Sequence, residues 1–199
     1  ALQQEYDLGR RPVVQVRDVP FLPHLATGRF STIDLAATDA TAKGINAAQL
    51  KLTLHGVRVP REVMLGEPGR VTVDRADGTI ELTEAEVNRL LADRLRGGTL
   101  TIGEDGVQVR TRLELLGQPL DAVVRGRLGT RDGGVTFTPT EIRLGERTLD
   151  PGQRDLLSSQ LTFQVPLPEL PAGVRLERVD TRPGVVVLSG RAAGVGVAA

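Results

Sequence analysis

Short runs in which apolar and polar residues alternate, cut by glycine-bearing turns, set the strongest constraint on what this chain can become. Val14 and Val16 alternate with Gln15 and Arg17, Leu50, Leu52 and Leu54 with Lys51, Thr53 and His55, and Val107 and Val109 with Gln108 and Arg110. A period of two places successive side chains on opposite sides of a strand, so each run has one dry and one wet face. Lys43-Gly44, Asp77-Gly78, Asp105-Gly106, Asp132-Gly133-Gly134 and Pro183-Gly184 are turn sequences at the spacing of antiparallel hairpins, and they predict a meander.

Helices are few. Thr83 with Glu86 makes a capping box, and Ala85, Val87, Leu90, Leu91 and Leu95 form an apolar stripe before Gly97-Gly98. Asp150 as cap and Pro151 at the first helical position open a second helix through Leu156, Leu157 and Leu161, ahead of a proline-spaced connector from Pro166 to Pro171. Ala1 to Tyr6 reads as the end of a third, closed by Gly9, and Val174 to Arg191 as a final hairpin. Strands of about eight to ten residues, roughly 30 Å each, carry more dry surface than such short helices can shield. The sheet must therefore curl around the helices, fold on itself as a sandwich, or enclose a ligand. Its dry faces are mainly Leu, Val, Ile and Ala, an aliphatic lining.

One stretch breaks the strand pattern. Val19-Pro20-Phe21-Leu22-Pro23 holds two apolar residues between two prolines, which keep the backbone extended or turning, and His24 to Thr27 then allow about one helical turn that Gly28 closes in the left-handed conformation. Arg29 and Phe30 re-enter an extended run. Phe21, Leu22, Leu25 and Phe30 form either a core-facing plug at the end of a sheet or a stiff wedge for a lipid interface, and Arg29 beside them suits a phosphate.

Asp18-Val19-Pro20-Phe21-Leu22, then Leu25 and Gly28-Arg29-Phe30 and the alternating strand that follows, resembles the signature of the LmeA-like phospholipid-binding proteins of the actinobacterial cell envelope, with Asp18-Val19 where Gly-Phe is common. Gly78-Thr79-Ile80-Glu81-Leu82-Thr83 before a helix, and Gly173-Val174 to Gly190, match that family in order and spacing, so the similarity spans nearly the whole chain. The resemblance implies a single lipid-binding domain over 1–199, α+β and mostly antiparallel β: a long curved antiparallel sheet wrapped around a few helices, as in tubular lipid-binding domains of the bactericidal/permeability-increasing type. It also implies an exported, membrane-associated protein of the envelope or periplasm that has lost a signal or anchor segment. Its ligands would be phosphatidylinositol-type lipids, its role the support of mannan elongation in lipomannan and related lipoglycans, and its possible partners the membrane surface and envelope glycosyltransferases. On that view Phe21, Leu22, Leu25, Phe30, Val87, Leu90, Leu91 and Leu95 contact lipid and Arg29 meets the head group. A ligand-free envelope scaffold or protein-interaction domain is the alternative.

Other chemistry is thin. Lysine plus arginine and aspartate plus glutamate number 25 each and are interspersed, which argues against a nucleic-acid partner. There is no cysteine, so disulfides, thiolate catalysis and thiolate metal sites are excluded. His24 and His55 stand alone without a second ligand at metal spacing, and no serine sits in a Gly-x-Ser-x-Gly elbow. Carboxylate pairs such as Glu84 with Glu86 are ordinary surface chemistry. The arginines at 125, 127, 131, 143 and 147 alternate with apolar residues and are expected on a solvated outer face. No catalytic residue, metal or cofactor is expected, only bound phospholipid.

Overall fold

The computed structural model describes residues 7–8, 13–16, 27–42, 44–95, 97–115, 118–145, 151–165 and 174–198. The chain divides into two compact units, one of Ala1–Glu81, Pro168–Glu177 and Ser189–Ala199, the other of Leu82–Leu167 and Arg178–Leu188. Most of the regular structure is antiparallel strand, with a few helices, and the meander that the turn signals predict is split into two sheets rather than running as one.

The first sheet takes β1 (Asp7–Leu8), β2 (Val13–Val16), β3 (Arg29–Ala42), β4 (Ile45–Arg58), β5 (Arg70–Thr83), β11 (Arg175–Arg182) and β12 (Val185–Ala198). Its order is β1-β3-β4-β5-β12-β11, with β2 also pairing with β3. The second sheet orders β10 (Phe163–Val165), β9 (Gly134–Leu144), β8 (Gln118–Arg131), β7 (Gly106–Leu115) and β6 (Thr99–Gly103). The hairpins at Gly44, Asp105-Gly106, Asp132-Gly133 and Pro183-Gly184 fall where the sequence puts them.

Asp77-Gly78 does not turn. It lies inside β5, and the chain reverses instead over Val59 to Gly69, through the short helix α1 (Arg61–Met64). Gly78 pairs with Leu52 in mid-sheet, where a Cβ would come within 3.1 Å of the Leu52 Cδ2. A strand glycine of this kind marks a close approach rather than an end.

In the second unit, α2 (Glu84–Leu90) and α3 (Ala92–Leu95) follow β5, and α4 (Pro151–Leu161) follows β9. The Thr83 hydroxyl accepts from the Glu86 N–H at 3.2 Å, so the cap forms as read. The Asn88 amide donates to the Leu100 carbonyl at 2.7 Å while its oxygen accepts from the Leu100 N–H at 2.8 Å, and the Glu84 carboxylate accepts from the Ile102 N–H at 2.8 Å. Two side chains of a helix thus occupy backbone groups of the edge strand β6, which would otherwise invite pairing. This sheet packs tightly: Leu100, Ile102, Val107, Val124, Phe137 and Leu144 are each 3% exposed or less. Gly126 leaves room for the Phe137 ring, which stacks tilted on Phe163 at 5.3 Å.

Candidate functional site

Residues paired across antiparallel strands project to the same side. In the first unit Ile33, Leu54 and Ala76 make one cross-strand row, Leu35, Leu52 and Gly78 the next, and Ala37, Leu50 and Ile80 a third. The row between the first two carries Asp34, Thr53 and Asp77, and these belong to the opposite, polar side. The aliphatic side is therefore three strands wide. Its leucines and isoleucines are all only partly buried; among these nine positions just Ala37 and Ala76 fall below a tenth exposed.

Toward Phe30 the strands change phase together. Phe30, Val57 and Val73 form a row, yet they join the same apolar cluster as Ile33, Leu54 and Ala76, three residues away along each strand rather than two or four. β12 repeats the spacing with Ala192 and Val195. The register of β3 on β4 and of β4 on β5 continues unshifted through this step, so no strand has gained a residue. Gly56 and Gly194 sit at the step with φ of 63° and 64°, a conformation glycine adopts without steric cost, and a Cβ on Gly56 would overlap the Asp74 carboxylate. One apolar face thereby runs on past a bend, with Val59, Val71 and Val174 packed against its end.

The polar side is tied by ions. Asp77 accepts from Arg191 at 2.9 Å and from Arg75 at 3.1 Å and lies 3.1 Å from His55 Nε2; Arg191 also reaches Glu177 at 3.4 Å. The hydrogen bond from Arg191 is the largest influence holding the Asp77 carboxyl below the usual carboxylate range; partial burial opposes it, and the charges of Arg75 and His55 reinforce it. These groups bond one another across β4, β5, β12 and β11, which gives them a structural task.

Of the residues the sequence proposes for lipid contact, Phe21, Leu22 and Leu25 lie outside the described residues. Phe30 is partly buried against the Val57–Val73 cluster, and Arg29 is exposed, opposite Arg58. Val87, Leu91 and Leu95 are buried at 8%, 8% and 6%, whereas Leu90 is 41% exposed and leaves the stripe. Arg29 and Phe30 belong to the first unit and the helix stripe to the second. The aliphatic rows were missed as a site, although the alternation in β4 that signals them is plain in the sequence. What was invisible was that their neighbours leave them half covered.

The Glu84 and Glu86 pair is not the surface chemistry the sequence suggests: the Glu84 carboxylate accepts from the Ile102 N–H, and Glu86, only 6% exposed, pairs with Arg89. On the outer face Arg125 and Arg143 pair with Glu141 at 3.3 and 2.6 Å, as solvated strand arginines would. Among the described residues no group of three metal-ligating side chains occurs, and no helix is long and apolar enough to cross a membrane. The surface depression in the second unit, between Glu104, Asp105, Arg127, Asp180 and Thr181, is polar and unsuited to an acyl chain.

The described residues thus make an antiparallel scaffold with a broad, incompletely covered aliphatic face. The chain belongs to the LmeA-like phospholipid-binding family, whose profile matches residues 1–191. No match to the chain was found among curated proteins or among solved structures.

Proposed function

We propose that the chain acts as one non-enzymatic lipid-binding domain that holds a phospholipid for presentation or transfer in the cell envelope, with the acyl chains against the Leu35–Leu52–Gly78 row and its neighbours. The observation that carries this is the half-buried aliphatic face of β3, β4 and β5. An acyl chain of about fifteen methylenes leaves a bilayer at a cost near 12 kcal/mol, at about 0.8 per methylene, so its new site must be dry and aliphatic. Gly78 and Ala76 leave a trough beside the leucine ridge of β4, and the nine paired positions of that side are all aliphatic or glycine.

Phosphatidylinositol-type lipids, a part in mannan elongation of lipoglycans, an exported location, contact with the membrane surface and with envelope glycosyltransferases, and a tubular lipid-binding architecture all belong to this proposal. They are what the sequence resemblance implies, and family membership supports phospholipid binding itself. Contact of Phe21, Leu22, Leu25 and Phe30 with lipid, and of Arg29 with its phosphate, belongs to it as well. The test is mass spectrometry of solvent extracts alongside native mass spectrometry of the purified protein. Phospholipid should co-purify in a fixed ratio and exchange with added vesicles. Repeated lipid-free preparations that take up none would instead favour a scaffold.

A further inference from the structure

The reversal between β4 and β5 is built unlike a solvent loop. Pro60 and Pro68 bracket it, and within it the Met64 N–H donates to the Pro60 carbonyl at 3.2 Å, the Leu65 N–H to Arg61 at 3.0 Å, the Gly66 N–H to Val63 at 3.1 Å and the Glu67 N–H to Glu62 at 2.9 Å. A Cβ on Gly69 would overlap Val63, so the returning chain lies close on that residue. This rigid turn nevertheless shows solvent its largest apolar groups: Leu65 is 71% exposed and Met64 39%. Soluble surfaces do carry single exposed leucines. Two adjacent large apolar side chains, Met64 and Leu65, held on a preordered tip are a different matter, because burying them elsewhere costs almost no further chain entropy.

The tip also continues the aliphatic face. Val59 and Val71, which flank the turn, pack against the cluster of Val57 and Val73, and from there the apolar surface runs through Ile33 and Leu54 to the Leu35–Leu52–Gly78 row. Met64 Cε borders Gly28, whose carbonyl accepts from the Val59 N–H at 2.7 Å. The turn therefore stands beside the start of β3, where Arg29 faces Arg58. Exposed Arg61 and Arg70 lie on the turn and at its exit, while Glu62 and Glu67 share it and Asp74 pairs with Arg58 at 3.0 Å. Arginine and acid nearly balance, so attraction to this end is chiefly apolar.

We propose that the tip of Met64 and Leu65 is the part of the protein that enters the acyl boundary of a phospholipid bilayer, setting the end of the aliphatic face against the membrane so that a lipid can pass along it. This rests on the phospholipid-binding function proposed above. Replacing Leu65 and Met64 together by serine, Leu65→Ser with Met64→Ser, should weaken sedimentation with phosphatidylcholine vesicles by about tenfold or more, the scale expected for losing one or two buried aliphatic side chains. The loss should be the same at low and high salt. Uptake of monomeric dihexanoyl-phosphatidylcholine, which needs no membrane, should not change.

Because the chain has no cysteine, an environment-sensitive dye can be placed at one position at a time. A dye at Leu65→Cys should shift to the blue on adding vesicles, and one at Leu156→Cys, a leucine of the second unit that is 59% exposed, should not. Wild-type vesicle binding by the double variant, or a response at Leu156 alone, overturns the inference and leaves the lipid site standing. A blue shift at Leu65 in a protein that takes up neither short- nor long-chain phospholipid supports the inference and overturns the lipid site.

Discussion

The two units use similar aliphatic residues to opposite ends. In the second, Leu100, Ile102, Val124, Phe137 and Leu144 are sealed, and even the edge strand β6 has its backbone groups occupied by Asn88 and Glu84. In the first, Ile33, Leu35, Leu50, Leu52, Leu54 and Ile80 all keep part of their surface open, and most of what is sealed along β3, β4 and β5 is alanine or valine. A finished core excludes water with protein. A face left half covered by its own chain loses part of that stabilisation, and a bound hydrocarbon restores it.

The largest expected effect lies in the sealed unit. Phe137→Ala should cost about 3–5 kcal/mol by leaving a cavity over Gly126 and beside Phe163, and lipid content of the folded fraction should be unchanged. Denaturant melts with lipid extraction check both; lost lipid at intact stability would reverse the roles of the units. Leu91→Trp overpacks a buried position on the helix stripe and should cost about 1–3 kcal/mol, again without touching lipid content. If it lowers lipid occupancy while the melting temperature holds, the stripe lines the lipid site after all.

Gly78→Leu should act the other way. It fills the trough beside Leu52, so lipid occupancy should fall severalfold while stability of the lipid-free protein stays within about 1 kcal/mol, since the Leu52 methyl that a new Cβ meets at 3.1 Å ends a partly exposed side chain that can turn aside. Unfolding would mark the trough as closed core. The smallest effect concerns the ionic side of the first sheet. Asp77 has a lowered folded-state pKa, so its pairing stabilises the protein above the ordinary carboxylate pKa of about 3.9 and is lost as pH falls through the folded value. With its side chain 35% exposed and water screening the pairs, Asp77→Asn should cost only about 0.5 kcal/mol near neutral pH. The melting temperatures of the two proteins should converge once the pH has fallen below the lowered folded value. A gap that persists there would assign the effect to packing.

Much of this was legible in the chain. Alternation located the strands, Thr83 and Pro151 announced the helix starts, and four of five glycine turns fell as predicted, because those signals act over a few residues. Asp77-Gly78 misled because an Asp-Gly pair reports what the backbone can do, while partners far along the chain decided: Gly78 pairs with Leu52 in mid-strand, and Arg191 holds Asp77. Pro60, Gly66, Pro68 and Gly69 were the competing turn signal. The candidate site was harder to see. Periodicity says which side of a strand is dry, but whether the rest of the chain covers that side depends on contacts no local pattern contains, and for that reason Leu90 was counted with the buried stripe and the β4 leucines were not counted as a site.

The shared change of phase near Gly56 also bears on how such a protein can alter in length. Each of β3, β4, β5 and β12 turns two consecutive residues outward at this step, while the pairings among β3, β4 and β5 stay in register. Deleting one residue from β4 alone there would both slip its pairing and send Val57 to the wet side, where a one-residue slip carries every later side chain with it. Insertions and deletions are tolerable only if neighbouring strands change together, or if they fall outside the step, in the hairpins. Descendants of this sheet should therefore vary in residue identity and loop length long before any strand changes its count between Phe30 and Ile33 or between Leu54 and Val57.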